Sequence, residues 1–255
     1  RLLNMLHENA NLNAAIGYTL VSHRPAATAA HVELGTLNYG GAIHNAWRDE
    51  APILMTAGMP PLSYGRSRRG GRDQAVFWPQ ELYDYGQIVR QYVKWDHVLH
   101  PLENPGLVVS RALQLALAER QGPTYLVIPR DVAMLPLEGL RFPSIAQLGL
   151  PDPPSPDPDA VRTAARLLVE ARNPLVLPRK AGRTAAGAAA LRALCELLAL
   201  PVAQAPRSER MNLPTDHPLC EAGPPLDEAD VILVVDNDTP WLPGIQEPHP
   251  DAKII

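Results

Sequence analysis

Apolar residues recur along the first 150 positions at spacings that alternate between those of helices and those of strands. Residues 8–22 place Leu12, Ile16 and Leu20 four apart, which is the spacing of one helical face. The same patterns predict strands at 26–32, 52–57 and 124–128 and helices at 38–47 and 103–119. Strands separated by helices of this length are typical of βαβ units and a parallel sheet.

A proline-rich segment separates this first part from a second part of similar pattern. Five prolines lie within 151–158, and proline favours an extended, semi-rigid chain. We therefore predict a first domain at 1–142, a linker at 143–158 and a second domain at 159–255. The second domain has predicted strands at 174–178 and 230–235 and a predicted helix at 184–199. The fold class predicted for the chain is α/β, with two open, mostly parallel sheets flanked by helices.

Composition narrows the class of protein. The formal net charge of −4 gives no reason to expect nucleic acid or an anionic membrane as a partner. No apolar run approaches the roughly 18 residues that span a bilayer. Two cysteines without a motif predict no disulfide framework and favour a reducing, cytoplasmic compartment. The chain begins at Arg1 and ends where 253–255 read as the start of a buried strand, so we expect both ends to be truncated.

One carboxylate stands apart from other charges in the first helix. Glu8 opens that helix, and no other Asp, Glu, Lys or Arg follows before Arg24. Such a carboxylate is expected to be shielded from water, which costs free energy unless hydrogen bonds compensate. The alternative is an acidic residue that only complements the helix dipole.

Two further features fall at the predicted carboxyl end of a strand. His31 closes the second predicted element, and Gly35 to Asn38 are expected to form a turn into a helix N-terminus. In a parallel sheet ligands bind at this edge, and free N–H groups at a helix start favour polar or anionic groups. Each feature also has a structural explanation: a histidine at a strand end, and a turn in which glycine supplies positive φ.

Taken in order, these segments resemble the pyrimidine-binding domain of thiamine diphosphate enzymes of the acetolactate synthase, benzoylformate decarboxylase and pyruvate oxidase group. The resemblance rests on Leu6-His7-Glu8-Asn9, Gly17-Tyr18, Gly35-Thr36-Leu37-Asn38, residues 51–58, Gln80-Glu81, residues 93–95 and residues 121–132. The second part resembles the group's central, Rossmann-like domain, here incomplete, through residues 173–177, 200–202, 216–219 and 228–231.

The resemblance implies roles for several residues. Glu8 corresponds to the family's glutamate that hydrogen-bonds N1′ of the cofactor aminopyrimidine and so activates the cofactor. Gly35, Thr36 and Asn38 are implied as cofactor-binding residues, and Glu8 and His31 as catalytic ones. A histidine at the position of His31 resembles the benzoylformate decarboxylase branch, in which it faces the bound intermediate, so one interpretation of His31 is a general acid or base. The alternative is that it only helps to close the pocket.

Other implications concern cofactors and partners. Gln80 and Glu81 match a family pair near the active site and are possible lining residues. Mg²⁺ is expected through a C-terminal diphosphate-binding domain, whose Gly-Asp-Gly motif does not occur in this sequence. FAD is left open because no Gly-x-Gly-x-x-Gly occurs. The family also implies a homodimer or tetramer with the cofactor at the subunit interface, so we expect the isolated chain to bind thiamine diphosphate weakly.

The implied activity is decarboxylation or carboligation of 2-keto acids. The alternative is a non-catalytic α/β module that retains the fold for assembly or nucleotide binding. A loop carrying Arg66, Arg68, Arg69 and Arg72 allows two interpretations of its own. It recognises an anionic substrate or an acidic partner loop, or it is a solvated surface loop, which its composition favours.

Overall fold

The computed structural model describes residues 2–65, 68–137, 139–151, 153–204, 210–220 and 224–255. The chain forms two compact units, residues 1–153 and 154–255. The boundary between them lies within the predicted linker, and the assigned domain limits themselves stay predictions. Each unit is described below by itself.

The first unit is built on one parallel sheet. Its strands are β1 (Ala26–Ala30), β2 (Ile53–Met59), β3 (Asp96–Val98) and β4 (Thr124–Pro129), in the spatial order β1-β2-β4-β3. All three strand pairs are parallel. The carboxyl ends of the four strands therefore meet at one edge of the sheet, where ligands bind in folds of this kind.

The α-helices of this unit, among the described residues, are α1 (Glu8–Ser22), α2 (Val32–Asn38), α3 (Gly41–Arg48), α4 (Pro105–Leu117), α5 (Arg130–Ala133) and α6 (Ile145–Leu148). Leu12 and Ile16 of α1 pack with Ile43 of α3 in the larger apolar core. Ala112 of α4 packs with Leu126 of β4 in a second core. Burial of these apolar faces is the main force that holds helices against a sheet.

The first helix has the predicted bounds. His7 precedes α1, and its Nδ1 accepts a hydrogen bond from the Asn9 N–H, which satisfies one of the unpaired donors at the helix start. The predicted apolar face is the one that lies in the core. At the other end the chain leaves the helix through His23, which adopts a left-handed conformation (φ 54°).

The segment after β1 differs from the prediction. The strand expected at 26–32 ends at Ala30, and the turn expected at 35–38 is the second half of helix α2. The chain changes direction at Val32, whose φ is +45°. This conformation is costly for a β-branched residue, so local propensity does not predict it. The helix expected at 38–47 is α3, which begins later, at Gly41, and Asn38 is instead the last residue of α2.

The second unit repeats the α/β arrangement. Strands β5 (Pro174–Pro178), β6 (Val231–Val235) and β7 (Lys253–Ile254) form a parallel sheet in that order, with helices α7 (Pro158–Glu170) and α8 (Ala185–Leu198). The predicted fold class, two parallel sheets flanked by helices, is thereby confirmed. The predicted buried strand at the chain end is a strand, but β7 is exposed.

The predicted linker is not extended throughout. Residues 145–148 form the short helix α6, and Gln114 of α4 donates from Nε2 to the carbonyl oxygens of Leu148 and Gly149, both at 2.9 Å. The first half of the predicted linker is therefore tied to the first unit. The proline content of the segment predicted an extended linker, but composition cannot predict a hydrogen bond from Gln114, which lies more than 30 residues earlier.

Two further expectations concern surface and redox properties. Within the described part of the chain, no helix is long and apolar enough to cross a membrane. Cys195 is buried and Cys220 half-buried, and both are free thiols.

Candidate active site

The site predicted from sequence lies at the carboxyl edge of the first sheet. The start of α1 meets α2 there, directly after β1. Helix α2 is only seven residues long, and its position brings the loop after β1 against the first turn of α1. This meeting point contains most of the side chains that the sequence singles out.

Glu8 is half-buried at this meeting point, not fully shielded as expected. Its Oε2 accepts a hydrogen bond from Asn38 Nδ2 at 3.3 Å. Its Oε1 lies against Gly35: a Cβ built on that glycine would be 3.0 Å from Oε1 and 2.9 Å from Ala30 Cβ. The absence of a side chain at Gly35 therefore makes room for the carboxylate.

The first turn of α1 is fixed to the end of α2 by a second contact. Asn9 Nδ2 donates to the carbonyl oxygen of Tyr39 at 2.9 Å. Tyr39 is fully buried, and its hydroxyl donates to Thr28 Oγ1 at 2.9 Å. Burial raises the pKa of Tyr39 to about 12, and the nearby Glu8 carboxylate adds to the rise. The negative charge of Glu8 therefore disfavours ionisation of the buried Tyr39 hydroxyl.

His31 begins the same helix and is exposed. Its carbonyl oxygen accepts from the Gly35 N–H at 2.8 Å, so the histidine is one helical turn from the glycine that contacts Glu8. The strained Val32 follows it directly. Strained backbone persists only where the surroundings impose it and is enriched at functional sites.

Thr36 is oriented differently from its neighbours in the predicted set. It is fully buried, and its Oγ1 donates to the Val32 carbonyl oxygen at 3.0 Å and lies 2.8 Å from the Tyr125 hydroxyl. These contacts engage the hydroxyl inside the first unit. Its role as a cofactor contact stays a prediction, as do the roles of Glu8, His31, Gly35 and Asn38.

The loop after β2 covers another part of the same edge. Asp131, at the carboxyl end of β4, accepts from the N–H groups of Leu62 at 3.0 Å and Ser63 at 2.8 Å. Burial alone would raise the pKa of Asp131, but hydrogen bonds from Ser63 and from the Leu62 amide outweigh it and hold that pKa below its usual range. Asp131 therefore anchors the loop as a carboxylate.

The arginine loop fits neither predicted interpretation as a whole. Arg72 is 4% exposed and binds both oxygens of Glu81, at 2.6 and 2.5 Å. Its guanidinium also lies over the rings of Tyr64 and Trp78, with centroids at 5.1 and 5.7 Å. For Arg72 the solvated-loop interpretation is wrong, because this cation is buried and paired.

The other arginines of that loop are at the surface or outside the described residues. Arg68 and Arg69 are exposed. Arg66 lies outside the described residues. Exposure of Arg68 and Arg69 is compatible with both interpretations, which stay predictions for these two residues, and sequence could not separate them from Arg72.

The possible lining residues take part in this loop. Arg72 hydrogen bonding holds the pKa of Glu81 below its usual range, while the Glu81 side chain remains 44% exposed. The Gln80 carbonyl oxygen accepts from the Tyr85 hydroxyl at 2.6 Å, and that hydroxyl lies 3.4 Å from Glu33 Oε2. The Gln80 backbone is therefore linked through Tyr85 to Glu33 of α2, and Glu81 is paired with Arg72. The role of Gln80 and Glu81 as lining residues stays a prediction.

Sequence reasoning gave no role to two acidic residues of this edge. Glu33 is buried in the first turn of α2, and Asp131 is buried after β4. Asp131 carried a usable signal, because it directly follows an apolar strand at the end where polar residues collect in such sheets. Glu33 carried none, because its segment resembled the end of a strand.

A cleft among the described residues of the second unit is a candidate place for FAD, whose binding the sequence left open. It has a volume of about 420 Å³ and is lined by Lys180, Thr184, Gly187 and Asp236, among others. It lies where β5 and β6 end and α8 begins. Whether FAD binds stays open. Among the described residues, no group of three or more His, Cys, Asp or Glu side chains is placed to hold a metal ion.

The fold and the site together indicate the class of α/β proteins that bind ligands at the carboxyl edge of a parallel sheet. A parallel α/β domain here presents a half-buried carboxylate, a histidine and a strained turn at its ligand-binding edge. Residues 1–80 match the family described as thiamine pyrophosphate enzyme, N-terminal TPP binding domain.

Curated relatives and solved structures agree with that match. Benzoylformate decarboxylase from Pseudomonas aeruginosa is 32% identical over 245 residues, which cover 90% of this chain and 43% of the relative. A probable acetolactate synthase from Mycobacterium bovis is 29% identical, over 92% of this chain and 41% of the relative. The structure of Rhodococcus jostii 4-hydroxybenzoylformate decarboxylase superposes with a TM-score of 0.75 at 25% identity, covering 98% of this chain and 48% of that one.

The chain is therefore similar, over nearly its whole length, to thiamine diphosphate-dependent enzymes of the group that contains benzoylformate decarboxylase and acetolactate synthase, and residues 1–80 match the N-terminal TPP binding domain of that family. The resemblance predicted from the motifs is confirmed. The chain spans less than half the length of the curated relatives that it matches.

Proposed function

We propose that this chain supplies the pyrimidine-binding part of a thiamine diphosphate-dependent enzyme that decarboxylates or joins 2-keto acids. The observation that carries the proposal is the Glu8 carboxylate, placed against Gly35 at the ligand-binding edge of the sheet. The relatives are named for decarboxylation and for acetolactate synthesis, so both reaction types remain within the proposal.

The Glu8 site fits a nitrogen base of the kind found in the cofactor pyrimidine. Within the described residues the carboxylate accepts one hydrogen bond, from Asn38. A carboxylate has about four acceptor positions, which leaves capacity for an N–H donor of a ligand. When bound, thiamine diphosphate would supply the carbon nucleophile and the electron sink for the reaction at the keto group. Glu8 would hold a proton-bearing ring nitrogen in place and stabilise its positive charge.

His31 has the position and the freedom for proton transfer. It is exposed at the carboxyl end of β1, and its side chain makes no capping hydrogen bond to α2. An imidazole titrates near neutral pH and can give or take a proton at a reacting oxygen or carbon. In the proposal His31 is the acid or base, and Glu8 acts on the cofactor.

The remaining requirements concern the cofactor's phosphates and the assembly. We propose that Mg²⁺ and the diphosphate are held outside the residues of this chain, and that the site is completed between subunits of a homodimer or tetramer. One observation supports a site completed between subunits: Glu8 remains half-exposed in the single chain. Catalysis on a keto acid needs a site from which water is excluded.

The experiment is a charge-matched pair of substitutions in the protein expressed from the complete reading frame, with thiamine diphosphate and Mg²⁺ present. Glu8→Gln should lower kcat on the preferred 2-keto acid by at least about 100-fold, since positioned proton chemistry contributes roughly 10²–10⁴. Glu170→Gln, at the exposed end of α7, removes the same charge elsewhere and should leave kcat unchanged.

Substrate choice is measured in the same assay with a panel of aromatic and aliphatic 2-keto acids. Turnover that survives Glu8→Gln at the wild-type rate would refute the role of this carboxylate. Turnover of no member of the panel by the wild-type protein would favour the alternative of a non-catalytic module. The matches to catalytic relatives favour the enzyme over that module.

A further inference from the structure

We propose that Asn38 and Gly35 act through Glu8, as positioning residues that fix its carboxylate, and are not themselves cofactor contacts. The inference rests on the proposed function and assigns these two residues a different task from the one implied by family resemblance. It follows from how the two carboxylate oxygens of Glu8 are held by helix α2.

Each oxygen of the carboxylate meets a different residue of α2. Oε2 accepts the amide proton of Asn38 Nδ2 at 3.3 Å. Oε1 occupies space that a side chain at position 35 would enter, since a Cβ there would be 3.0 Å away. Asn38 therefore holds Oε2 by a hydrogen bond, and Gly35 leaves space for Oε1.

The backbone beneath this arrangement is also fixed. Asn9, next to Glu8, donates to the carbonyl oxygen of Tyr39, next to Asn38, at 2.9 Å. The two helix segments that carry the donor and the acceptor are thus joined at neighbouring residues. Tyr39 is in turn held by its buried hydroxyl bond to Thr28. A carboxylate supported in this way keeps one orientation with little loss of conformational entropy on binding.

The contact gives the Asn38 amide a task other than direct cofactor binding. One of its two N–H groups donates to Glu8, and a ligand that took over this N–H would weaken the hold on the carboxylate. Asn38 lies at the exposed end of α2, so the substitutions below leave the buried core untouched.

The first test measures the contact without cofactor, in this chain. The side-chain amide protons of Asn38 are followed by NMR in the wild type and in Glu8→Ala. Loss of the acceptor should move an Asn38 amide signal upfield, toward that of Asn45, an exposed asparagine of α3. An Asn38 signal that does not respond to Glu8→Ala would overturn the inference, whatever the enzyme does.

The second test separates positioning from binding in the protein loaded with thiamine diphosphate and Mg²⁺. Asn38→Asp removes the donor and places a second negative charge beside Glu8. Exchange of the cofactor C2 proton into D₂O should slow by at least about 10-fold, because small misplacements of a reacting group cost rates of this order. The calorimetric Kd for the cofactor should change by less than about threefold, which is below 1 kcal/mol.

Two control variants complete the design. Asn45→Asp makes the same charge change in α3 and should leave the exchange rate unchanged. Asn38→Gln keeps an amide donor and should recover part of the rate that Asn38→Asp loses. A cofactor Kd that weakens in Asn38→Asp as much as exchange slows would overturn the inference, because Asn38 would then bind the cofactor directly. An unchanged exchange rate in Glu8→Ala would overturn the proposed function itself, a failure that the NMR signal of Asn38 does not share.

Discussion

A single methyl group added at Gly35 should both strain the first unit and displace the proposed functional carboxylate. In Gly35→Ala the new Cβ would lie 2.9 Å from Ala30 Cβ, 3.2 Å from the Ala30 carbonyl carbon and 3.0 Å from Glu8 Oε1. The first two atoms belong to a short side chain and the backbone of β1, which cannot rotate away. The third belongs to a side chain that can move, so Glu8 is the group expected to shift.

The magnitude follows from two opposing effects on the free energy of unfolding. Alanine is favoured over glycine inside a helix by up to about 1 kcal/mol. Overpacking of a close contact typically costs about 1–3 kcal/mol. Gly17→Ala is the matched control, because Gly17 lies in helix α1 and a Cβ there would meet no atom within 4 Å. The difference between the two variants cancels the helix term and should be about 1–3 kcal/mol, with Gly35→Ala the less stable.

The assay is urea unfolding of both variants followed by circular dichroism, together with kcat in the assembled enzyme. Gly17→Ala should be equal to or more stable than the wild type and fully active. Gly35→Ala should be less stable than Gly17→Ala and should lose roughly 100-fold in kcat through the displaced Glu8. If Gly35→Ala matches Gly17→Ala in both stability and kcat, the close packing of Glu8 against α2 is refuted.

Four further predictions concern other contacts. Asp131→Ala should lower the free energy of unfolding by about 2–4 kcal/mol, since two amide donors lose a charged acceptor. Burial alone would raise the pKa of Asp131, but hydrogen bonding holds the folded-state pKa below its ordinary value of about 3.9, so this stability should be present above that value and be lost as the pH falls through the folded-state pKa. The difference in the free energy of unfolding between the wild type and the variant should therefore be smaller at pH 3 than at pH 7. Tyr125→Phe should cost about 1–2 kcal/mol by the same measurement, through the lost contact with Thr36, and no change would contradict that contact. His31→Ala should lower kcat on the preferred keto acid with little effect on unfolding; unchanged kcat and KM would leave it only a role in closing the pocket. Calorimetry on the isolated chain should detect no tight binding of thiamine diphosphate, and micromolar affinity would contradict the proposal that the site is completed elsewhere.

Periodicity was sufficient for the elements whose apolar faces are long and regular. Helix α1 and strand β5 have the predicted bounds, and both sheets are parallel as expected. Strand β3 has only three residues, all half-buried, and gave no pattern to detect. Short edge strands depend on pairing with a neighbour, here β4, and that pairing is not encoded locally.

The errors around α2 have a different cause. Gly35 suggested a turn because glycine commonly supplies positive φ, yet the residue with positive φ is Val32. Glycine is required at this position because the backbone packs closely against Ala30 of β1 and Glu8 of α1. Both residues belong to other elements, so the local sequence does not show the contact. A sequence shows that a position is glycine but not which of these two physical demands selected it.

The arginine loop likewise shows that sequence identifies charged residues but not which of them are buried and paired. Arg68, Arg69 and Arg72 are equivalent by composition, but among the described residues it is Arg72 that meets a carboxylate and two aromatic rings. A buried cation is tolerated only where such partners compensate for lost hydration. The partner, Glu81, follows nine residues later, after a segment whose path the sequence does not reveal.

Glu8 was expected to be shielded, and its half-exposed state in the single chain defines what the rest of the site must provide. Orientation is already supplied within the first unit, by Asn38, Gly35 and the contact between Asn9 and Tyr39. Exclusion of water is not, and a carboxylate interacts with a charged ring far more strongly once water is removed. In the proposed enzyme the two tasks are therefore divided: this chain fixes the direction of the carboxylate, and the bound cofactor with whatever covers it removes the water.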